Sequence, residues 1–180
     1  IPAMQLAFMR FGVHLALSTG PMLGADHSGW TAPRAQALAM LARGGLLLIS
    51  TTTNFVALRY LDLTVSAAIM FSSPILVSAL SVPLLGERVG PWRWAAILLG
   101  FVGVLIVVRP WSAEFHWAVI FSLISATSLA LFSILTRRLA GVAAPRTMQL
   151  YAGLVGTVVL LPVAIWVWSS PTTPLDWILL

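Results

Sequence analysis

Cysteine is absent from all 180 residues, and so is lysine. The first absence excludes disulfides and thiolate metal sites. The second makes arginine the source of all ten basic residues. Acidic residues number five, and none lies inside the six long apolar runs described below. Charged residues make up only 8% of the chain, where a soluble domain carries about 25%. With 59% of the residues hydrophobic, a soluble fold of this size has no means of hiding its apolar surface. The expected class is an all-α polytopic membrane protein in the lipid bilayer of a bacterial inner membrane.

The formal charge of +5 raises nucleic acid as a partner. Eight of the ten arginines sit at the ends of apolar runs, however, and they form no single basic stripe, so no nucleic-acid partner is expected. His14, His27 and His116 show no metal-ligand spacing. GERVGP, residues 86–91, does not match the phosphate loop G-x-x-x-x-G-K. No metal, no cofactor and no catalytic set is expected. The chain starts on Ile1 and ends on LDWILL, which looks like the start of another apolar segment. It reads as a fragment cut at both ends.

What is present is a series of six apolar runs: Ala3–Gly24, Gln36–Leu58, Leu63–Leu85, Trp92–Val108, Trp117–Leu135 and Met148–Trp168. Crossing a hydrocarbon core takes roughly 20 helical residues. The runs lack the alternation of barrel strands, so six transmembrane helices are expected. Their connections are short and rich in turn residues, which makes neighbouring helices antiparallel. The eight tryptophans all fall at or beside the ends of these runs, the headgroup level that the indole ring prefers. Loops alternate sides. One side collects Arg34, Arg88, Arg93, Arg137, Arg138 and Arg146, and the other Arg59 and Arg109. The positive-inside rule puts the first side in the cytoplasm.

Two short segments are alike. MQLAFMRFG starts at Met4 and MQLYAGLVG at Met148, and Met, Gln, Leu and the later Gly match in register. Their helices run in opposite directions, as an inverted-topology repeat with an odd number of helices requires. Chance in a biased composition is the other explanation.

The stretch SAAIMFSSPILVSALSVPLLGERVGPWRWAAILLGFVGVLIVVRP, residues 66–110, resembles the EamA family of the drug/metabolite transporter superfamily. The resembling features are Pro74 inside an apolar helix, LLGERVG at its end, and the helix GFVGVLIVVRP that follows. AFMRF in the first run and LFSILTRRL in the fifth add to the likeness. The resemblance implies ten helices in two inverted five-helix repeats. Residues 1–110 would then hold helices 2–5 of the family, and residues 111–180 helices 6–7 and the beginning of 8. It implies secondary transport of a small metabolite, with S-adenosylmethionine and riboflavin carriers among the look-alikes. A homodimer is carried as an open form of assembly.

Candidate binding residues follow from polarity inside apolar runs. Arg10 and His14, four apart, share a helix face, and ionisable groups within a span are functional candidates. They can attract an anionic substrate, or Arg10 can snorkel to the interface. Ser72, Ser73 and Pro74 lie mid-span. Proline cannot donate its backbone hydrogen bond, and such freed backbone survives in a membrane only against protein or a wet cavity. A packing kink healed by serine hydroxyls is the plainer reading. Asn54 follows three threonines, and Ser122, Ser125 and Ser128 recur at one-turn spacing. Both sets either line a cavity or bond helix to helix. Ala96, Gly100 and Gly103 suggest close helix packing. Glu87 is expected to pair with Arg88 or Arg93, or to cap the next helix.

Three functions compete: a metabolite carrier, an intramembrane enzyme and a non-transporting scaffold subunit. An enzyme needs a nucleophile and base at one depth. Ser125 and His116 are nine residues apart, about 13 Å along a helix, and cannot be partners.

Overall fold

The computed structural model describes residues 3–19, 34–87, 90–109 and 116–168. Among these, all regular structure is helical: α1 (Ala3–Thr19), α2 (Arg34–Ala57), α3 (Leu63–Phe71), α4 (Ser73–Leu85), α5 (Pro91–Val108), α6 (Val119–Leu139) and α7 (Pro145–Val167). Each expected span is a helix, and the third is divided at Ser72 into α3 and α4. The part of the first span beyond Thr19, the segment LDWILL, His27 and Arg88 lie outside the described residues.

Among the described residues, four stretches are long and apolar enough to cross a bilayer: Leu63–Leu85, Pro91–Val108, Val119–Leu139 and Pro145–Val167. The 17 residues of α1 span about 26 Å at 1.5 Å each. Helix α2 is longer, but Arg43 and the run from Ser50 to Asn54 make it the least apolar of the six. The protein is an all-α polytopic membrane protein.

The helices gather into two compact units, residues 1–48 with 139–180, and residues 49–138. These packing units do not follow the repeat boundary expected near residue 110. Contact density and internal repetition are different properties of a chain.

In the first unit α1 lies along α7. Phe11 meets Gly156 and Leu15 meets Gly153, so the two helices run antiparallel. That is the relation expected of the two MQL segments. A Cβ on Gly153 would sit 2.9 Å from the Leu15 Cα, and one on Gly156 would overlap the Phe11 ring. Gly44 of α2 is similarly tight against α7, with a Cβ there 3.1 Å from Val155. Ala152, Gly156, Leu160 and Ala164 recur every fourth residue and are all buried. Lipid chains are as apolar as leucine, so helices associate in membranes by close packing, and small residues permit it.

The second unit has two core clusters, one around Ile69, Val119 and Ala126 and one around Val77, Ala130 and Ile134. Glu87 pairs with Arg137 at 3.9 Å, which brings the α4–α5 turn beside the end of α6. Arg93 is not the partner of Glu87, and Arg88, the other expected partner, lies outside the described residues. Arg93 donates instead to the Ser78 hydroxyl at 3.3 Å, and no side chain caps α5. At the other end of the unit Tyr60 stacks on His116 with ring centres 5.6 Å apart, and Trp117 joins them. The two ends therefore carry turns that the arginine distribution assigns to opposite membrane faces.

The small-residue expectation for α5 holds at one position. A Cβ on Gly100 would overlap Ile75 of α4, whereas Gly103 has nothing within 4 Å and Ala96 is exposed. Leu98, Leu99 and Ile106 of α5 are also exposed, as suits a helix facing lipid.

Candidate functional site

The polar residues of the second unit begin at the break between α3 and α4. Ser72 turns its hydroxyl back on its own helix and donates to the Ile69 carbonyl at 2.5 Å. Pro74 stands in the first turn of α4, where its ring nitrogen has no hydrogen for the Met70 carbonyl. Ser73 and Pro74 line a cavity of about 500 Å³, together with Ser78 of α4 and Ser133 and Arg137 of α6. Both readings of the kink are realised by different residues: Ser72 heals the backbone, while Ser73 and Pro74 open onto the cavity.

Asn54 is not among the residues lining that cavity. Its side-chain oxygen accepts from the Ser66 hydroxyl at 3.4 Å, and Ser66 also meets Ser122 at 3.4 Å. One turn along, Ser125 donates to the Ser50 carbonyl at 2.7 Å, with the two hydroxyls 3.1 Å apart. These contacts join α2, α3 and α6. Asn54, Ser122 and Ser125 thus hold helices together, a role worth about 0.6 kcal/mol per bond on average in a membrane protein.

Arg10 and His14 belong to the first unit. Arg10 is exposed and His14 half-buried. They line a shallow pocket of about 420 Å³ with Ser18 and Gln149. The His14 Nε2 is hydrogen-bonded to the Gln149 Oε1. Deeper in the same unit, Arg43 is buried and its Nη1 donates to the Met148 carbonyl at 3.0 Å.

The six candidate binding residues therefore fall into three pairs. Arg10 and His14 share one pocket, Ser73 and Pro74 line another, and Asn54 and Ser72 make structural hydrogen bonds. Sequence reasoning missed Gln149, Ser78, Ser133, Arg137, Ser50 and Ser66. Gln149 lies within the quoted MQLYAGLVG, beside the matched Met. Ser133 and Arg137 are four apart on one face of α6, a spacing as legible as that of Arg10 and His14. Ser50 and Ser66 carry no such signal, because their partners are on other helices.

Broken spans, small-residue packing and polar pockets among apolar helices are features of membrane carriers. Residues 1–109 match the EamA-like transporter family, and the chain belongs to that family. It is 37% identical over 84 residues to a riboflavin transporter of Rhizobium johnstonii, covering 47% of this chain and 28% of that protein. A riboflavin transporter of Vibrio cholerae is 33% identical over 113 residues, or 63% of this chain and 38% of the relative. An S-adenosylmethionine uptake transporter of Rickettsia prowazekii is 26% identical over 131 residues, or 73% and 45%. The chain spans about half or less of the length of these relatives. It is a multi-pass bacterial membrane protein.

Proposed function

We propose that the protein is a secondary carrier that moves a small polar or amphipathic metabolite by alternating access. The observation that carries this reading is the helix interruption at Ser72–Pro74, which opens within a membrane-spanning stretch onto a cavity of about 500 Å³. Irregular backbone at that depth is tolerated where it lines a protected or wet cavity, and transporter sites are commonly built on interrupted helices. The names of the relatives support riboflavin and S-adenosylmethionine as the first compounds to try. The proposal includes Arg10, His14, Ser73 and Pro74 as substrate contacts, two inverted repeats meeting near residue 110, and the arginine-rich turns on the cytoplasmic face. It also holds that the protein is not an enzyme. The Ser125 hydroxyl is committed to the Ser50 carbonyl, and the His116 Nδ1 accepts from the Ala118 backbone N–H at 3.1 Å, so the two are engaged apart from one another. A homodimer is not required by this mechanism.

Uptake of labelled riboflavin and labelled S-adenosylmethionine into vesicles carrying the full protein tests the reading. Saturable uptake of one of them is expected, falling roughly tenfold or more in Arg10→Ala, the size of one lost charge-assisted contact. Product formation without net movement would support an enzyme instead. Uptake that is saturable but indifferent to Arg10→Ala would remove Arg10 from the site.

A further inference from the structure

The cavity between α4 and α6 has a charge arrangement that the carrier reading leaves unused. Its polar lining consists of three hydroxyls, from Ser73, Ser78 and Ser133, and one guanidinium, from Arg137. No acid lines it. Arg93 reaches the same rim through its hydrogen bond to Ser78. The rest of the lining is apolar and includes Phe71 and Leu129. Glu87 is the one acid near this rim among the described residues, and it stands against Arg137 at 3.9 Å. Both partners are about half exposed, at 40% and 50%. An ion pair that long and that exposed is weak and easily exchanged.

We propose that this cavity is an anion-accepting subsite, in which the phosphate or carboxylate end of an amphipathic ligand displaces Glu87 from Arg137. A guanidinium offers two parallel donors that match either group. The Ser73 and Ser78 hydroxyls can turn to donate to the remaining oxygens, as can Ser133 once it leaves the Leu129 carbonyl, and the apolar part of the lining takes the body of the ligand. Glu87 holds Arg137 in place when the cavity is empty, and the ligand supplies the same charge when it is full. The subsite rests on the carrier reading for its cargo. The same chemistry is present in a free anionic metabolite and in an anionic lipid headgroup.

The absence of cysteine gives a clean test. Ser133→Cys places one thiol in the cavity, one helical turn from Arg137. The intact protein, in nanodiscs of phosphatidylcholine, is treated with a sulfonate-bearing and with a trimethylammonium-bearing methanethiosulfonate. Rates are corrected for the intrinsic reactivity of each reagent. The anionic reagent is expected to react about fivefold faster or more, because one unit charge at ion-pair distance in water is worth about fivefold for each reagent in opposite senses and Glu87 offsets part of the total. Arg137→Gln should erase the preference, and Glu87→Gln should enlarge it. Decyl phosphate should slow labelling, and lose that effect in Arg137→Gln. Protection by phosphatidylglycerol in the disc identifies a lipid headgroup as the source, while protection by decyl phosphate alone identifies a free metabolite. Equal rates for the two reagents, a thiol that reacts with neither, or a preference that survives Arg137→Gln overturns the subsite. Uptake measured on the same variants in sealed vesicles keeps the two ideas apart. Lost uptake with charge preference intact counts against the carrier, and intact uptake without preference counts against the subsite.

Discussion

Arg43→Glu is expected to cost about 3–5 kcal/mol of stability, the penalty for leaving a buried charge without its partner. Arg43 is only 5% exposed and donates to the Met148 carbonyl, in the first turn of α7. A carboxylate at that place meets a carbonyl oxygen, and neither group has a hydrogen to share. Arg43→Lys keeps the charge but loses the planar fork, so it should fall between the native protein and the glutamate variant. Unfolding in mild detergent can be followed by the fluorescence of the eight tryptophans. A loss below about 1 kcal/mol for Arg43→Glu, the scale of a surface pair, would show that Arg43 does not hold α2 to α7.

Changes at the contact of Gly156 with Phe11 should be the next most damaging, Gly156→Leu among them. Even a single added carbon at Gly156 overlaps the Phe11 ring, and Phe11 is 1% exposed. Overpacking of this kind costs about 1–3 kcal/mol. Phe11→Ala on its own should cost about 3–5 kcal/mol through the cavity it leaves. Combined, the two changes exchange volume across one contact, so their joint cost should be well below the sum. A double-mutant cycle by the same unfolding measurement gives the answer. Strict additivity would mean that Phe11 and Gly156 do not touch.

Helix boundaries were the most legible feature of this chain. The expected span Trp92–Val108 differs from α5 by one residue, and Gln36–Leu58 differs from α2 by two at one end and one at the other. Apolar runs flanked by arginine, proline and tryptophan leave little choice of boundary when the solvent is a bilayer. The break at Ser72 was equally legible, because Pro74 removes a donor wherever it stands.

Helix partners were much less legible. Ala96, Gly100 and Gly103 of α5 looked like the packing face, yet only Gly100 meets a neighbour. The tight small-residue contacts are those of Gly153 and Gly156 in α7. A small residue permits close approach but does not say which helix approaches. Serines and asparagine were ambiguous for the same reason. Asn54 and Ser125 bond to other helices, Ser72 to its own, and Ser73 lines the cavity. All four are polar groups in an apolar run, and only the fold distinguishes them. The pairing of Glu87 with Arg137 joins residues 50 apart in sequence, beyond the reach of local charge patterns.

Counterflow in proteoliposomes tests alternating access most directly. Vesicles holding the full protein are loaded with unlabelled riboflavin or S-adenosylmethionine and diluted into a trace of the same labelled compound. A carrier that reorients only around bound cargo should draw the label in above its equilibrium level before it decays. Simple equilibration of both labels without overshoot, or their chemical conversion in place of accumulation, would contradict the mechanism.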